Sequence, residues 1–216
     1  MNIRQLIHKY SHVWTLLYIL IYMPWFAWLE KKVTTDFHEI HMPLDDVIPF
    51  CEYFIIPYLL WFFFVAATII YIFIYSKDEY YHACAFLFIG MTIFLIICTV
   101  WPNGLNLRQD ISYKDNIFAN AVRILYRTDT STNVFPSIHV FNSIGCCIAL
   151  FKSKGFKGHN IIKTFVAILT VLIILSTMFL KQHSVVDVIG GIALGGIMYL
   201  LVYVPNWGGK QGLSQQ

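Results

Sequence analysis

The sequence predicts an all-α membrane protein, a polytopic bundle of six transmembrane helices. Three observations predict it. Of the 216 residues, 58% are hydrophobic and only 12% are charged, against about 25% charged in a soluble domain, which is too little charge to cover a water-facing surface. The apolar residues come in blocks of roughly twenty, the length that crosses a hydrocarbon core of about 30 Å. The interiors of those blocks hold no Asp, Glu, Lys or Arg, which gather in the connections. Length alone would suggest one or two soluble domains. The blocks predict a single membrane domain over residues 1–216 instead.

The first span is expected from about Trp14 to Leu29. It is too long for a signal peptide and lacks a small-residue cleavage site. The second is expected from about Tyr53 to Tyr75 and the third from about Ala83 to Trp101. Pro24 and Pro57 fall inside the first two and are expected to kink them, which a bundle tolerates. A connection of roughly thirty residues follows, held at both ends by membrane helices; connections that long without periodicity are usually functional or disordered. It carries Arg108, Arg123, Arg127, Asp129 and Asn133 and leads into Pro136-Ser137-Ile138-His139. The fourth span is short, from about Ser137 to Phe151. The fifth covers about Ile161 to Leu180 and the sixth about Val185 to Val204. Gly191 and Gly195 on the sixth have the small-xxx-small spacing that lets helices approach closely.

Six spans put both termini on one side. The connection after the fourth span carries Lys152, Lys154, Lys157 and Lys163 with no acid, and the N-terminal segment carries Arg4 and Lys9. The opposite side holds Glu30, Asp36, Glu39, Asp45, Asp46 and Glu52. The positive-inside bias therefore places the termini in the cytoplasm. Trp14 and Trp207 fall near inner ends, and Trp25, Trp28 and Trp101 near outer ends, as an interfacial belt would have them. A formal charge of +3 carries no nucleic-acid footprint, so the partners expected are membrane lipids. Cys51, Cys84, Cys98, Cys146 and Cys147 have no metal-ligand spacing and read as small buried side chains without a disulfide framework. No metal or cofactor is expected. His8, His12, His38, His41, His82 and His159 have no usable partner spacing and read as surface or interfacial residues, and the glycine-rich segment after Trp207 reads as a flexible end.

The chemistry begins with His183 and Asp187, at i and i+4 on one helix face. A carboxylate there can accept one imidazole N–H, fix the tautomer and aim the other nitrogen at a substrate. Taken alone, the pair could equally cap the sixth helix. His139 follows Pro136 and Ser137, residues suited to a helix start. A helix starting there presents free N–H groups and its positive dipole end, a natural phosphate cradle to which Ser137 adds a hydroxyl. Taken alone, this too could be an ordinary helix start. Topology joins the two. The fourth and sixth spans enter, and the fifth exits, at the outer membrane face, so His139, Lys181, His183 and Asp187 fall together there, with Arg108 on the long connection. Two histidines, a carboxylate and two cations at one depth form a phosphate site with acid–base and charge-stabilising parts. That catalytic face is built from residues 102–139 and 180–187.

These residues resemble the motifs of the type 2 phosphatidic acid phosphatase superfamily, written K-x6-R-P, P-S-G-H and S-R-x5-H-x3-D. Pro136-Ser137-Ile138-His139 is similar to the second, with Ile for Gly. Ser176 through Asp187 is similar to the third, with Thr177 where the family has Arg. Of the first, Arg108 can stand for the Arg, while Gln109 replaces Pro and Trp101 replaces Lys. The resemblance implies a lipid phosphate substrate and a phosphohistidine formed on His183. It implies that Asp187 orients His183, that protonated His139 serves the leaving oxygen, and that Arg108, Ser137 and Lys181 hold the phosphoryl oxygens. Loss of family cations with His, His and Asp kept also resembles the lipid phosphotransferases that make inositol phosphorylceramide and sphingomyelin. Water as acceptor gives a phosphatase, the broader class and the one expected here; an alcohol gives a phosphotransferase. A transporter or scaffold is disfavoured, because the ionisable residues gather at one surface rather than at the midplane.

Overall fold

A computed structural model of the chain describes residues 10–205. Arg4, His8, Lys9, Trp207, Lys210 and the glycine-rich segment lie outside the described residues. Helix α1 (Ile19–Lys32) continues a 3-10 segment, Ser11–Tyr18. A short helix α2 (Pro43–Val47) follows, then α3 (Ile55–Tyr75) and α4 (Lys77–Val100). The long connection contains α5 (Ile117–Thr128), and α6 (Ile138–Lys152), α7 (Asn160–Phe179) and α8 (Val185–Val202) complete the chain. Strands β1 (His38–Glu39) and β2 (Asn103–Gly104) form one short parallel pair.

The fold is an all-α membrane bundle. Five helical stretches are long and apolar enough to cross a membrane: Ser11–Lys32, Glu52–Tyr75, Lys77–Val100, Asn160–Phe179 and Val185–Val202. Their outward faces are apolar too, with Leu20, Phe63, Phe165 and Leu200 all more than 60% exposed. A surface of that kind suits lipid rather than water. The expected fourth span is the shorter α6, 15 residues long, about 22 Å at the helical rise. It packs against α3, α4, α7 and α8 and so lies inside the bundle. Protein covers it, so it need not match the hydrocarbon thickness by itself.

Close approach builds that centre. Phe141 stacks on Phe86 of α4 at 5.0 Å and fills the space that Gly90 leaves open. A Cβ on Gly191 would stand 2.8 Å from the Ser137 carbonyl oxygen, and one on Gly195 would stand 3.2 Å from Ile144. The small-xxx-small spacing of α8 therefore faces α6 and lets the two helices approach closely.

Two expectations are corrected here. Pro57 lies in the first turn of α3, where its missing N–H costs nothing, and only Pro24 is interior to a helix. His12 is 2% exposed, and its Nε2 lies 3.1 Å from the Phe73 carbonyl oxygen, so it is a core residue. The cysteines are free, and Cys84, Cys98 and Cys146 are buried.

Connections at one end of the bundle are stitched together. The amides of His38 and Ile40 donate to Pro102 and Gly104, and that of Leu105 to Ser131. The fully buried Asn103 accepts from the amides of Val134 and Phe135, both at 2.9 Å, through Oδ1. Glu52 at the start of α3 accepts from Lys114 at 2.6 Å and from Asn116 at 3.2 Å. The segment before α6 is thereby fixed to residues 103–105, which are in turn paired with residues 38–40.

Candidate active site

Two helix starts meet at this end. Ser137 caps α6, its Oγ accepting from the Val140 amide at 3.4 Å, and Ser184 caps α8, accepting from the Val186 amide at 3.1 Å. The Ser137 amide donates to the Asp187 carbonyl at 3.0 Å, which joins the two motifs directly. Asp187 is fully buried. Its Oδ2 accepts from the Ser184 amide at 2.9 Å and lies 3.3 Å from His183 Nδ1. One carboxylate oxygen thus closes the capping box and holds the imidazole. With Nδ1 engaged, Nε2 is the nitrogen left for a substrate.

His139, in the first turn of α6, packs between Tyr58 and Trp61 of α3, with ring centroids 4.7 and 4.3 Å away. Its centroid lies 5.8 Å from that of His183. Its Nε2 is buried without a hydrogen-bond partner. Both histidines line one cavity of about 410 Å³. The remaining wall comes from Tyr22, Met23 and Phe26 of α1, from Phe62 of α3, and from the segment around Asn133.

The expected phosphate ligands lie elsewhere. Lys181 is 3% exposed, and its ammonium donates at 2.6 Å to the carbonyls of Asp45 and Ile48, away from the cavity. Burial lowers its pKa, against the pull of Asp45 and Asp46. Arg108 donates through Nη1 to the Tyr126 and Asp129 carbonyls and through Nη2 to the Thr130 carbonyl and Gln182 Oε1, all within 2.7–3.0 Å. These bonds tie the end of α5 to the residue beside His183. Ser137 is fully buried, and its hydroxyl serves the cap. None of the three lines the cavity. The positions where the family has cations carry a buried Thr177, whose hydroxyl donates to Ile174, and Trp101, which packs on Phe135.

Sequence reasoning missed two carboxylates in the wall, Glu30 and Asp129. Glu30 accepts from Asn133 Nδ2 at 2.8 Å and from the Thr130 hydroxyl. Asp129 accepts from the Tyr58 hydroxyl at 3.3 Å. Burial raises the Asp129 pKa, opposed by the charges of Arg108 and His183. A signal for Glu30 existed, because an acid in the last turn of a helix sits at the unfavourable end of the dipole.

Asp45 was also missed. Its Oδ2 accepts from the Ser184 hydroxyl at 2.6 Å and its Oδ1 from the Val185 amide at 2.8 Å. With Lys181 it clamps α2 onto both flanks of His183.

No curated protein and no solved structure matches the chain. The family model of the PAP2 superfamily matches residues 103–208, a stretch that contains both histidines, Asp187, the cap of α6 and the close crossing of α6 with α8. That match shows residues 103–208 to be similar to the PAP2 superfamily.

Proposed function

We propose that this membrane protein of the phosphatase type hydrolyses a lipid phosphate or diphosphate through a phosphohistidine on His183. The observation that supports this most is that His183 and His139 line one cavity with their rings 5.8 Å apart, while the buried Asp187 lies behind His183 at its Nδ1. His183 attacks phosphorus through Nε2 while Asp187 holds Nδ1 and stabilises the positive charge that develops. His139, protonated, gives its proton to the leaving oxygen. The N–H groups in the first turn of α6 take the phosphoryl oxygens. Water then attacks, and His139 accepts its proton. The lysine-only connection between α6 and α7 favours an extracytoplasmic site with both termini cytoplasmic.

The two histidines act in opposite protonation states, so the rate should peak at intermediate pH and fall on both sides. A flat rate from pH 5 to 9 would count against this assignment. The direct test is phosphate release by the purified protein in detergent, across lipid monophosphates and diphosphates, beside His183→Ala. Release by the parent, its loss in the variant and an acid-labile phosphoprotein intermediate are the expected outcome.

Phosphotransfer to a lipid alcohol is the second reading. It is favoured by Thr177 and Trp101 standing in place of family cations. It would show as head-group transfer to added ceramide or diacylglycerol without phosphate release.

A further inference from the structure

We propose that Glu30 and Asp129 form an anionic subsite that takes an ammonium group carried by the substrate a few bonds from the reacting phosphate. This inference rests on the phosphoryl-transfer reading and narrows its substrate class to zwitterionic lipids.

The cavity wall holds both carboxylates and, among the described residues, contains no lysine or arginine. Arg108 is committed to three carbonyls and Gln182, and Lys181 to Asp45 and Ile48. Glu30 is held by neutral donors only, Asn133 and Thr130, and its neighbour Lys32 lies over the Trp28 ring. Among the described residues, neither Glu30 nor Asp129 has an ion-pair partner. Burial raises the Asp129 pKa, against the charges of Arg108 and His183.

Two further observations point to a ligand. Gln182 and Asn133 are 4% and 5% exposed, line the cavity and each keep one side-chain polar atom without a partner, Nε2 and Oδ1. Trp61, Tyr22 and Phe26 share the wall. Aromatic faces beside carboxylates suit a desolvated ammonium, by cation–π attraction as well as charge.

A phosphate monoester brings a charge of about −1.5 to −2 at pH 7. Beside Glu30 and Asp129 that charge is repelled, and among the described residues of the wall the protonated His139 of the proposed chemistry offsets it without help from a lysine or arginine. An ammonium on the same substrate removes the repulsion and finds a partner. Two lipid classes carry this chemistry: long-chain amino-alcohol phosphates, which are monoesters, and glycerophospholipids with an amino head group, which are diesters. In both, the His183 Nε2 lone pair forms the N–P bond and the P–O bond to the lipid alcohol breaks. The departing oxygen takes the His139 proton. Water then forms a new P–O bond, the N–P bond breaks, and His139 recovers a proton. The products are a lipid alcohol with either inorganic phosphate or a phosphorylated amino alcohol.

The test compares phosphatidic acid, a long-chain 2-amino-alcohol phosphate and phosphatidylethanolamine, for the full chain in detergent and for Glu30→Gln. Asp129→Asn serves as the second variant if Glu30→Gln does not fold. At least one ammonium lipid should exceed phosphatidic acid by about tenfold in kcat/KM, and the ratio should fall toward one in the variant. Which of the two does so identifies the source. Equal or better turnover of phosphatidic acid by the parent, or an unchanged ratio in the variant, overturns the subsite.

Binding separates the two readings. Quenching of tryptophan fluorescence by tetradecyltrimethylammonium should occur at about tenfold lower concentration than by tetradecyl sulfate, and Glu30→Gln should remove the difference. Such binding without turnover of any lipid would overturn the phosphohistidine reading and leave the subsite standing. Turnover without such binding would overturn the subsite alone.

Discussion

At the scale of residues, the Asp187 carboxylate links folding to the proposed chemistry. One oxygen receives both the Ser184 amide and the His183 ring, and the other is buried without a partner. Asp187→Asn keeps the shape but cannot accept from both donors in the same way. Its kcat should fall by about two to four orders of magnitude, by analogy with other carboxylate-oriented histidines. His183→Ala should lose about three orders or more in the same assay. Lys181 separates a structural cation from a ligand. Its ammonium holds two buried carbonyls, so Lys181→Met should cost about 1–3 kcal/mol in detergent unfolding and leave KM for the phosphate lipid unchanged. A raised KM would return Lys181 to the phosphate site. Asp129 adds a pH dependence. Burial raises its pKa above the ordinary carboxylate value, so the folded chain binds the proton more tightly than the unfolded chain. That contribution to stability is full below the unfolded pKa and is lost as pH rises through the folded one. Asp129→Asn should flatten this part of a melting-temperature profile taken across the acidic range.

At the scale of elements, the site exists because α6 and α8 touch where their N-terminal caps lie side by side. Gly191 permits that contact, and Gly196 has no atom within 4 Å of an added Cβ. Gly191→Ala should push α8 off the Ser137 carbonyl, cost about 1–3 kcal/mol and lower kcat. Gly196→Ala should be neutral or slightly stabilising, which makes it the control. The spans were legible because lipid-facing helices are apolar all round, a signal that no local detail hides. The third span begins earlier than expected, at Lys77, because Ser76 caps a polar first turn that hydropathy discounts. Helix α5 was not recognised. It is capped by Asn116 and buries only part of its surface, with Ala119 and Val122 inward and Ile117 and Ile124 exposed. The contact between His183 and Asp187 was legible because spacing on a helix fixes which side chains share a face. Arg108 and Lys181 end on backbone carbonyls and Gln182 rather than in the cavity, because spacing does not fix where a long side chain ends. Asp45 was out of reach because it acts across a contact between segments far apart in sequence, whereas Glu30 carried only the signal of an acid in the last turn of a helix.

At the scale of the whole molecule, the cavity lies between the first two membrane stretches and reaches the lipid-facing surface. Met23 of α1 and Phe62 of α3 line it, yet they are 51% and 54% exposed on the apolar exterior. Helix α1 packs on α4, while α3 packs on α4, α6 and α7, so the space between α1 and α3 is bordered by side chains that face the membrane. The polar ends of the same cavity, His139, His183 and Glu30, lie toward the stitched connections. A lipid arriving from the bilayer could therefore keep its chains among apolar side chains while its phosphate meets the histidines, with no cost for pulling the chains into water. A bulky residue at the border should obstruct chains and spare small water-soluble molecules. Met23→Trp should lower kcat/KM for a long-chain lipid phosphate by about tenfold or more and leave hydrolysis of p-nitrophenyl phosphate nearly unchanged. Equal loss on both substrates would mean that the substitution disturbs the site itself. Equal retention on both would mean that the lipid reaches His183 by another path, over the end of the bundle past the segment that precedes α6.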